Sequence, residues 1–172
     1  TGYTDILAEK GWQCGLSGKW HLGDSRQVQK GFSFWYAHQC GGSSYYGAPM
    51  IRDGELVNEE RYLTDVITDE ALSFMKEMED NDDPFYLSVH YTAPHAPWID
   101  NHPEEYVSLY DNCQFNSIPD HAPHPWTKGG LVKGQKNFRE KIKGYYAAIT
   151  AMDANIGRII DWLEEKNLRE NT

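Results

Sequence analysis

The stretch Gly15-Leu16-Ser17-Gly18-Lys19-Trp20-His21-Leu22-Gly23 joins a short, mixed run of strand character to a glycine-bounded turn. Side chains two positions apart in an extended backbone point the same way. Lys19 and His21 are therefore expected on one face. Trp20 and Leu22 would take the other face and pack. An ammonium and an imidazole side by side suit a bound anion, because they stabilise negative charge as a bond to a leaving oxygen breaks. The alternative is a surface lysine and a histidine that caps a turn.

Helical and extended patterns alternate along the chain on both sides of this stretch. Apolar spacing of three or four residues indicates helices, and short apolar runs between turn residues indicate strands. The predicted elements are, in order, helix 3–10, strand 12–17, extended run 32–36, hairpin 50–57, helix 64–78, strand 85–91, short helix 103–110, long irregular loop 112–134 and helix 138–166. This order predicts an α/β domain, in which ligands bind at the carboxyl ends of strands.

Two of these helices are long enough to show an apolar stripe, and the hairpin has a clear turn signal. Asp53-Gly54 supplies the positive φ angles that a two-residue hairpin turn requires. The expected core positions of helix 64–78 and its first flank are Leu63, Val66, Ile67, Ala71, Phe74, Met75 and Met78. Those of the last helix are Tyr145, Ile149, Met152, Ile156, Ile159, Ile160 and Leu163.

A second segment with candidate chemistry, Ala93-Pro94-His95-Ala96-Pro97-Trp98, follows the apolar strand 85–91. Two prolines fix their own φ angles and bias the residues before them towards extended geometry. His95 is therefore predicted to stand on a stiff loop beyond a strand end, which suits a group that positions a ligand. The alternative is a proline-rich surface turn with an incidental histidine.

The remaining candidate residues carry weaker signals. His90 lies within the strand pattern and is interpreted as a core residue with its hydrogen bonds satisfied, and His102, before a proline, as a cap. His121 and His124 have the spacing of a metal pair, but their segment is not helical, which disfavours a metal site. Asp153, within the apolar stripe of the last helix, is interpreted as structural.

Composition narrows the classes of partner. The chain has 172 residues, room for one domain with a sizeable core, and a formal net charge of −10, which makes nucleic acid an unfavourable partner. Its three cysteines form no CxxC pair and give no disulfide framework. No apolar run is long enough to span a membrane. Because the net charge of the chain is negative, an anionic substrate would need a local basic pocket.

Taken together, these segments resemble the type I sulfatases of the alkaline-phosphatase-like superfamily. Residues 15–23 are similar to the second signature of that family, residues 91–98 to its second active-site histidine loop, and residues 145–159 to the long helix before its next metal-binding strand. The resemblance implies part of an α/β/α sandwich with a mostly parallel sheet, in which residues 1–172 form an internal segment of a single catalytic domain, truncated at both ends.

The resemblance also implies roles for individual residues. Lys19 and His21 would contact the sulfate and the leaving oxygen, and His95 would contact the sulfate from the other side. Trp98, on the same loop as His95, would contact the substrate. In this family a formylglycine, made from a cysteine or serine, attacks the sulfur, and a calcium ion held by acidic residues and an amide aligns the ester.

The sequence departs from the family pattern at the nucleophile. Neither Cys14, Cys40 nor Cys113 is followed by proline or alanine two residues on and arginine four residues on. The formylglycine and the calcium ligands are therefore expected outside residues 1–172, with no metal ligand inside them, and this segment alone is expected to be inactive.

The expected function of the full-length protein is hydrolysis of a sulfuric ester, on a sulfated carbohydrate or a small organic sulfate. The alternatives are a phosphonate or phosphate ester hydrolase of the same superfamily, a non-catalytic relative that binds sulfated glycans, and a purely structural α/β domain. The expected partners are the sulfated ligand and the remainder of the catalytic domain. A periplasmic or secreted location is favoured over a cytoplasmic one.

Overall fold

Five strands form one sheet in the computed structural model, which describes residues 2–81, 83–118, 122, 124–126 and 131–172. Within those residues the strand order is β4-β3-β2-β1-β5. The strands are β1 (Gln13–Lys19), β2 (Phe34–His38), β3 (Ala48–Arg52), β4 (Glu55–Glu59) and β5 (Phe85–His90). The predicted strands are all present, and β1 extends two residues beyond the predicted end, so that Lys19 closes the strand.

The sheet is mixed. β1 pairs in parallel with both β2 and β5, whereas β2–β3 and β3–β4 are antiparallel. The expectation of a mostly parallel sheet thus applies to the three strands β2, β1 and β5, and the hairpin adds the antiparallel part. That hairpin was predicted from its turn: Asp53 and Gly54 have φ angles of 52° and 84°.

Helices cover both faces of the sheet, which confirms the α/β class. The helices are α1 (Tyr3–Glu9), α2 (Leu63–Asn81), α3 (Glu104–Val107) and α4 (Phe138–Glu165). α2 lies on one face, where Ser17 Oγ donates to Ile67 O at 2.7 Å, and α4 packs against α2. α1 lies on the other face, where Cys14 Sγ is 4.0 Å from Thr4 O.

Each face of the sheet has its own apolar cluster. The larger one fills the space between the sheet, α2 and α4, and its fully buried members include Tyr36, Met50 and Ile67. The smaller one lies on the opposite face and joins Leu16, Trp35, Ala37 and Ile51, with the rings of Trp20 and Phe32 packed against it. The expected packing of Trp20 is therefore observed.

Helix α4 buries a different set of residues from the predicted stripe. Of the seven predicted positions only Leu163 is fully buried, and Ile156 is 39% exposed. The buried positions are Ile142, Gly144, Ala147, Ala148, Ala151, Asn155 and Leu163. Small residues allow α4 to approach its neighbours closely, and the predicted larger ones lie at the margin of the contact. Asp153 is exposed.

Strand β5 is half-buried rather than buried, and its last residue, His90, is exposed. β5 is the edge strand of the described sheet, so its outer side has no neighbouring strand there. The interpretation of His90 as a core residue is therefore wrong. No helix within the described residues has both the length and the apolar character needed to cross a bilayer.

Candidate functional site

Three parallel strands end at one edge of the sheet, and each ends on a basic or imidazole side chain. Lys19 closes β1, His38 closes β2 and His90 closes β5. Lys19 pairs with His38, and Gly18 pairs with His90. The carboxyl ends of parallel strands are where open α/β sheets bind ligands, so this edge is the candidate site.

Lys19 is half-buried, and its position depends on the glycine before it. Gly18 has a φ of +116°, and a Cβ there would lie 2.0 Å from His90 O. Only glycine permits this approach of β5 to β1. His90 Nδ1 also lies 3.1 Å from Lys19 O, so the backbone of Lys19 is held on its β5 side.

His95 is exposed, but its loop is tightly held. Its backbone N–H donates to Thr92 O at 3.0 Å, and its backbone O accepts from Tyr45 Oη at 2.7 Å. The ring Nδ1 lies 2.7 Å from Ala96 O. A carbonyl oxygen only accepts, so Nδ1 carries the proton in that contact and the neutral ring presents Nε2 as an acceptor.

The loop that follows β2 lies against both Lys19 and His95. A Cβ added to Gly41 would lie 4.0 Å from Lys19 Nζ, and one added to Gly42 would lie 3.8 Å from His95 Nδ1. Gly41 and Gly42 are consecutive, so the ammonium and the imidazole lie against neighbouring residues of one loop. The structure therefore brings together two of the three residues that the sequence singled out.

The third residue, His21, lies two positions beyond the end of β1 and is exposed. Within the described residues it forms no hydrogen bond or ion pair, and its convergence with Lys19 stays a prediction. The expected packing of Leu22 is wrong, because this side chain is 70% exposed. Alternation ends with the strand at Lys19, and residues 22 and 23 bend.

Sequence reasoning missed His38. This histidine is 1% exposed, and its two ring nitrogens contact Cys40 and Ser43 in the loop that follows β2. Burial lowers its pKa, the contact with the Cys40 carbonyl opposes this shift, and the neighbouring charge of Lys19 lowers the pKa further. The only sequence signal was its place between an extended aromatic run and a glycine pair, which also fits an ordinary strand end.

A buried aromatic group supports the loop of His95 from behind. Tyr45 and Tyr62 stack with ring centroids 5.7 Å apart, and Tyr62 Oη lies 2.9 Å from His102 Nδ1. His102 is 8% exposed. Its interpretation as a cap is wrong, because the N-cap of α3 is Pro103 and no side chain forms a capping hydrogen bond there. Burial lowers the pKa of His102 to about 4, although the nearby Pro97 carbonyl opposes the shift.

Trp98 is half-buried and held at the far end of the same loop. Its Nε1 donates to Pro94 O at 2.9 Å, and its ring meets Tyr145 edge to face at 6.1 Å. The indole lines a cavity of about 350 Å³ whose other lining residues are Ala96, Pro97, Ile99 and Lys141. The cavity is largely apolar, and its lining begins at Ala96, the residue after His95.

The described residues contain no group of three or more His, Cys, Asp or Glu side chains that is arranged to hold a metal ion. The location of the calcium ligands outside residues 1–172 stays a prediction. His121 lies outside the described residues. His124 accepts from the backbone N–H of Trp126 at 3.1 Å and meets its ring edge to face.

Comparisons with known proteins agree on one fold and one family. An N-acetylglucosamine-6-O-sulfatase of Bacteroides thetaiotaomicron is 24% identical over 240 residues, which cover 99% of this chain and 42% of the relative. An ulvan-active sulfatase of Formosa agariphila is 27% identical over 180 residues, which cover 98% of this chain and 32% of the relative. The chain thus spans less than half the length of these curated relatives.

Solved structures share the fold over nearly the whole chain. One, described as a complex with its substrate D-glucosamine-2-N,6-O-disulfate, has a TM-score of 0.76 and 21% identity, and covers 100% of this chain and 48% of its own. Another, a complex with k-i-k-neocarrahexaose, has a TM-score of 0.73 and 23% identity, and covers 96% of this chain and 36% of its own. The family model for sulfatases matches residues 4–172, and the chain belongs to the sulfatase family.

Proposed function

We propose that the full-length protein hydrolyses sulfuric esters and that the carboxyl edge of the sheet binds the sulfate group. The observation that carries this proposal is the placement of Lys19 and His95 against the consecutive residues Gly41 and Gly42. Membership in the sulfatase family supports it. An ammonium and an imidazole that converge on one exposed loop offer charge and hydrogen bonds to a single oxyanion.

Each residue has a distinct task in this proposal. The Lys19 ammonium offsets the negative charge of the sulfate oxygens. The Ala96 carbonyl keeps a proton on Nδ1 of His95, so protonation at Nε2 makes the ring a cation whose Nε2–H donates to a sulfate oxygen. His21 delivers a proton to the leaving oxygen, which turns a poor alkoxide leaving group into an alcohol.

The nucleophile and the metal belong to the proposal as well. We propose that a formylglycine and a calcium ion are held by residues outside 1–172, because no cysteine here has the modification motif and no described cluster suits a metal. The tasks of Lys19, His21 and His95 do not depend on where those groups come from.

The proposed substrate is a sulfated carbohydrate. Two relatives support this class by their names, which refer to N-acetylglucosamine-6-O-sulfate chemistry and to ulvan. The apolar cavity beside Trp98 gives one face of a sugar ring a surface to pack on. We propose a periplasmic or secreted location, where such polysaccharides are met.

Replacement of Lys19 tests the proposal directly. In the full-length enzyme, Lys19→Ala should lower kcat/KM on a sulfate ester by about 10²- to 10³-fold, as loss of one transition-state contact does. Lys10→Ala is the matched control, because Lys10 is an exposed lysine at the end of α1. Equal turnover by the two variants would contradict the assignment.

Phosphate and phosphonate esters in the same assay test the main alternative, since Lys19 and His95 would bind either tetrahedral anion. A higher kcat/KM on phosphate esters would replace the sulfatase assignment. Binding of a sulfated glycan with no turnover by the wild-type protein would instead favour the non-catalytic relative.

A further inference from the structure

His38 holds the loop on which the two candidate sulfate-binding groups meet. This loop runs from Cys40 to Ser43 and is called here the glycine loop. The backbone N–H of Cys40 donates to His38 Nδ1 at 3.2 Å, and Nδ1 also contacts the Cys40 carbonyl. His38 Nε2 lies 2.8 Å from Ser43 Oγ, which in turn donates to Ser44 O. The ring thus contacts both ends of the glycine loop.

The middle of the glycine loop forms a wall of the candidate site. Gly41 and Gly42 are exposed, and they lie against Lys19 and His95 respectively. Added Cβ atoms would make only ordinary contacts there, and neither glycine has a positive φ, so sterics at the backbone do not demand glycine. Bare backbone at this point lets a ligand approach the loop closely.

The same segment is fixed on its far side. Tyr45, two residues beyond the glycine loop, is 1% exposed and donates its hydroxyl to the backbone O of His95. The Tyr45 backbone N–H donates to Asn101 Oδ1 at 3.2 Å, and its O accepts from the Leu63 N–H at 2.8 Å. The chain between His38 and Tyr45 therefore spans the gap between the end of β2 and the loop of His95.

We propose that His38 is a positioning residue of the sulfate site: it fixes the glycine loop, and the loop sets the separation of the Lys19 ammonium and the His95 imidazole. This inference rests on the proposed function. Packing alone does not explain why a histidine is buried here, because an apolar side chain would fill the same space without desolvating two ring nitrogens. The hydrogen bonds to the loop are what the imidazole adds.

The test compares variants of the full-length enzyme by steady-state kinetics on a sulfate ester, well below their Tm values. His38→Ala should raise KM and lower kcat/KM by about 10- to 100-fold, because misplacement of binding groups by about 1 Å has effects of this size. His38→Asn keeps a side-chain amide, which both accepts and donates, near the position of Nδ1 and should recover part of the loss. Ser43→Ala should also raise KM and lower kcat/KM, but by a smaller factor.

Thr68→Val is the matched control for stability. Thr68 is fully buried in α2, and its hydroxyl donates to Thr64 O at 3.1 Å and contacts Tyr91 Oη. Its replacement removes a buried hydrogen bond without touching the glycine loop. A purely structural loss lowers Tm and the folded fraction but leaves KM unchanged. Thr68→Val is therefore expected to lower Tm at constant KM.

A second readout needs no turnover. Inorganic sulfate should raise the Tm of the wild-type protein and of Thr68→Val equally, and the shift should shrink in His38→Ala. An active wild type combined with unchanged KM and an unchanged sulfate shift in His38→Ala would overturn this inference alone. A wild-type protein with neither hydrolysis nor a sulfate shift would overturn the proposed function, and this inference with it.

Discussion

Gly18 shows how one residue places the candidate site. Its φ of +116° suits glycine, and any side chain there would collide with the carbonyl of His90. The close approach of β5 brings the two strand ends together and sets Lys19 at the sheet edge. The reason for glycine at this position lies in a strand 72 residues away, by the difference between positions 18 and 90, so no local pattern reveals it.

His102 makes the stability of the folded protein depend on pH. Its pKa falls to about 4 in the folded protein, against about 6.5 in an unfolded chain. Between these values the unfolded state binds a proton that the folded state does not, so the free energy of unfolding should rise with pH across this window. The contribution is complete above about pH 6.5 and is lost as the pH falls towards 4.

Denaturant unfolding at a series of pH values measures this dependence. His102→Gln should flatten the slope of the unfolding free energy between pH 4 and pH 6.5 relative to wild type, although not completely. Burial also lowers the pKa of His38, which contributes in the same direction. If His102→Gln kept the full wild-type slope, folding would leave the pKa of His102 unchanged, so that the folded state would be protonated at this residue as the unfolded state is.

The two long helices mark what periodicity predicts and what it does not. All seven positions predicted for the core side of α2 are buried, because large apolar residues at helical spacing face a sheet there. In α4 the buried face instead contains Gly144, three alanines and Asn155. Asn155 Nδ2 donates to Asp65 Oδ1 at 2.7 Å, a polar contact between α4 and α2 that an apolar pattern does not reveal.

Two glycines of α4 give opposite expectations for the same substitution. A Cβ on Gly144 would lie 1.8 Å from Trp98 O, whereas one on Gly157 would meet nothing within 4 Å. Gly144→Ala should therefore push the Trp98 loop from the helix and destabilise the protein by about 1–3 kcal/mol. Gly157→Ala should stabilise it by up to about 1 kcal/mol, since alanine is the better helix former.

Chemical denaturation of the full-length protein with each single substitution measures both effects, and each variant is the control for the other. Equal shifts in the unfolding free energy would mean that helix propensity alone governs these positions. That result would contradict the close contact between α4 and the loop that carries His95 and Trp98.

The candidate site could be predicted only in part, again for reasons that lie in its elements. Lys19 and His95 could be singled out as candidates because each follows a predicted strand, and parallel strands gather their carboxyl ends at one edge. His38 was missed because its proposed role depends on the path of the glycine loop. Leu22 was misplaced because alternation ends with β1. Sequence patterns predict neither the conformation of loops nor the exact ends of strands well.

The candidate site is a locally basic edge in a molecule that is acidic as a whole. Its formal net charge is −10, yet Lys19 forms no ion pair with a carboxylate within the described residues. The ammonium therefore remains available for an anion. A local basic group within an acidic surface also selects against polyanions that bind over large areas, such as nucleic acid.

The assembled sheet explains why the two proposed tasks, binding the sulfate charge and positioning the groups that bind it, fall on different strands. β1 supplies the ammonium, β5 leads to the imidazole loop on one side of β1, and β2 supplies the buried His38 on the other side. The order β2-β1-β5 makes this possible, because the three carboxyl ends are neighbours. We expect the remaining parts of the proposed site to be added around the same edge.

A crystal structure of the full-length protein with inorganic sulfate bound tests the central claim most directly. We expect one sulfate ion with Lys19 Nζ and His95 Nε2 both within about 3 Å of its oxygens, the usual range of charge-assisted hydrogen bonds. A sulfate bound to Lys19 without His95, or at a different edge of the sheet, would contradict the account.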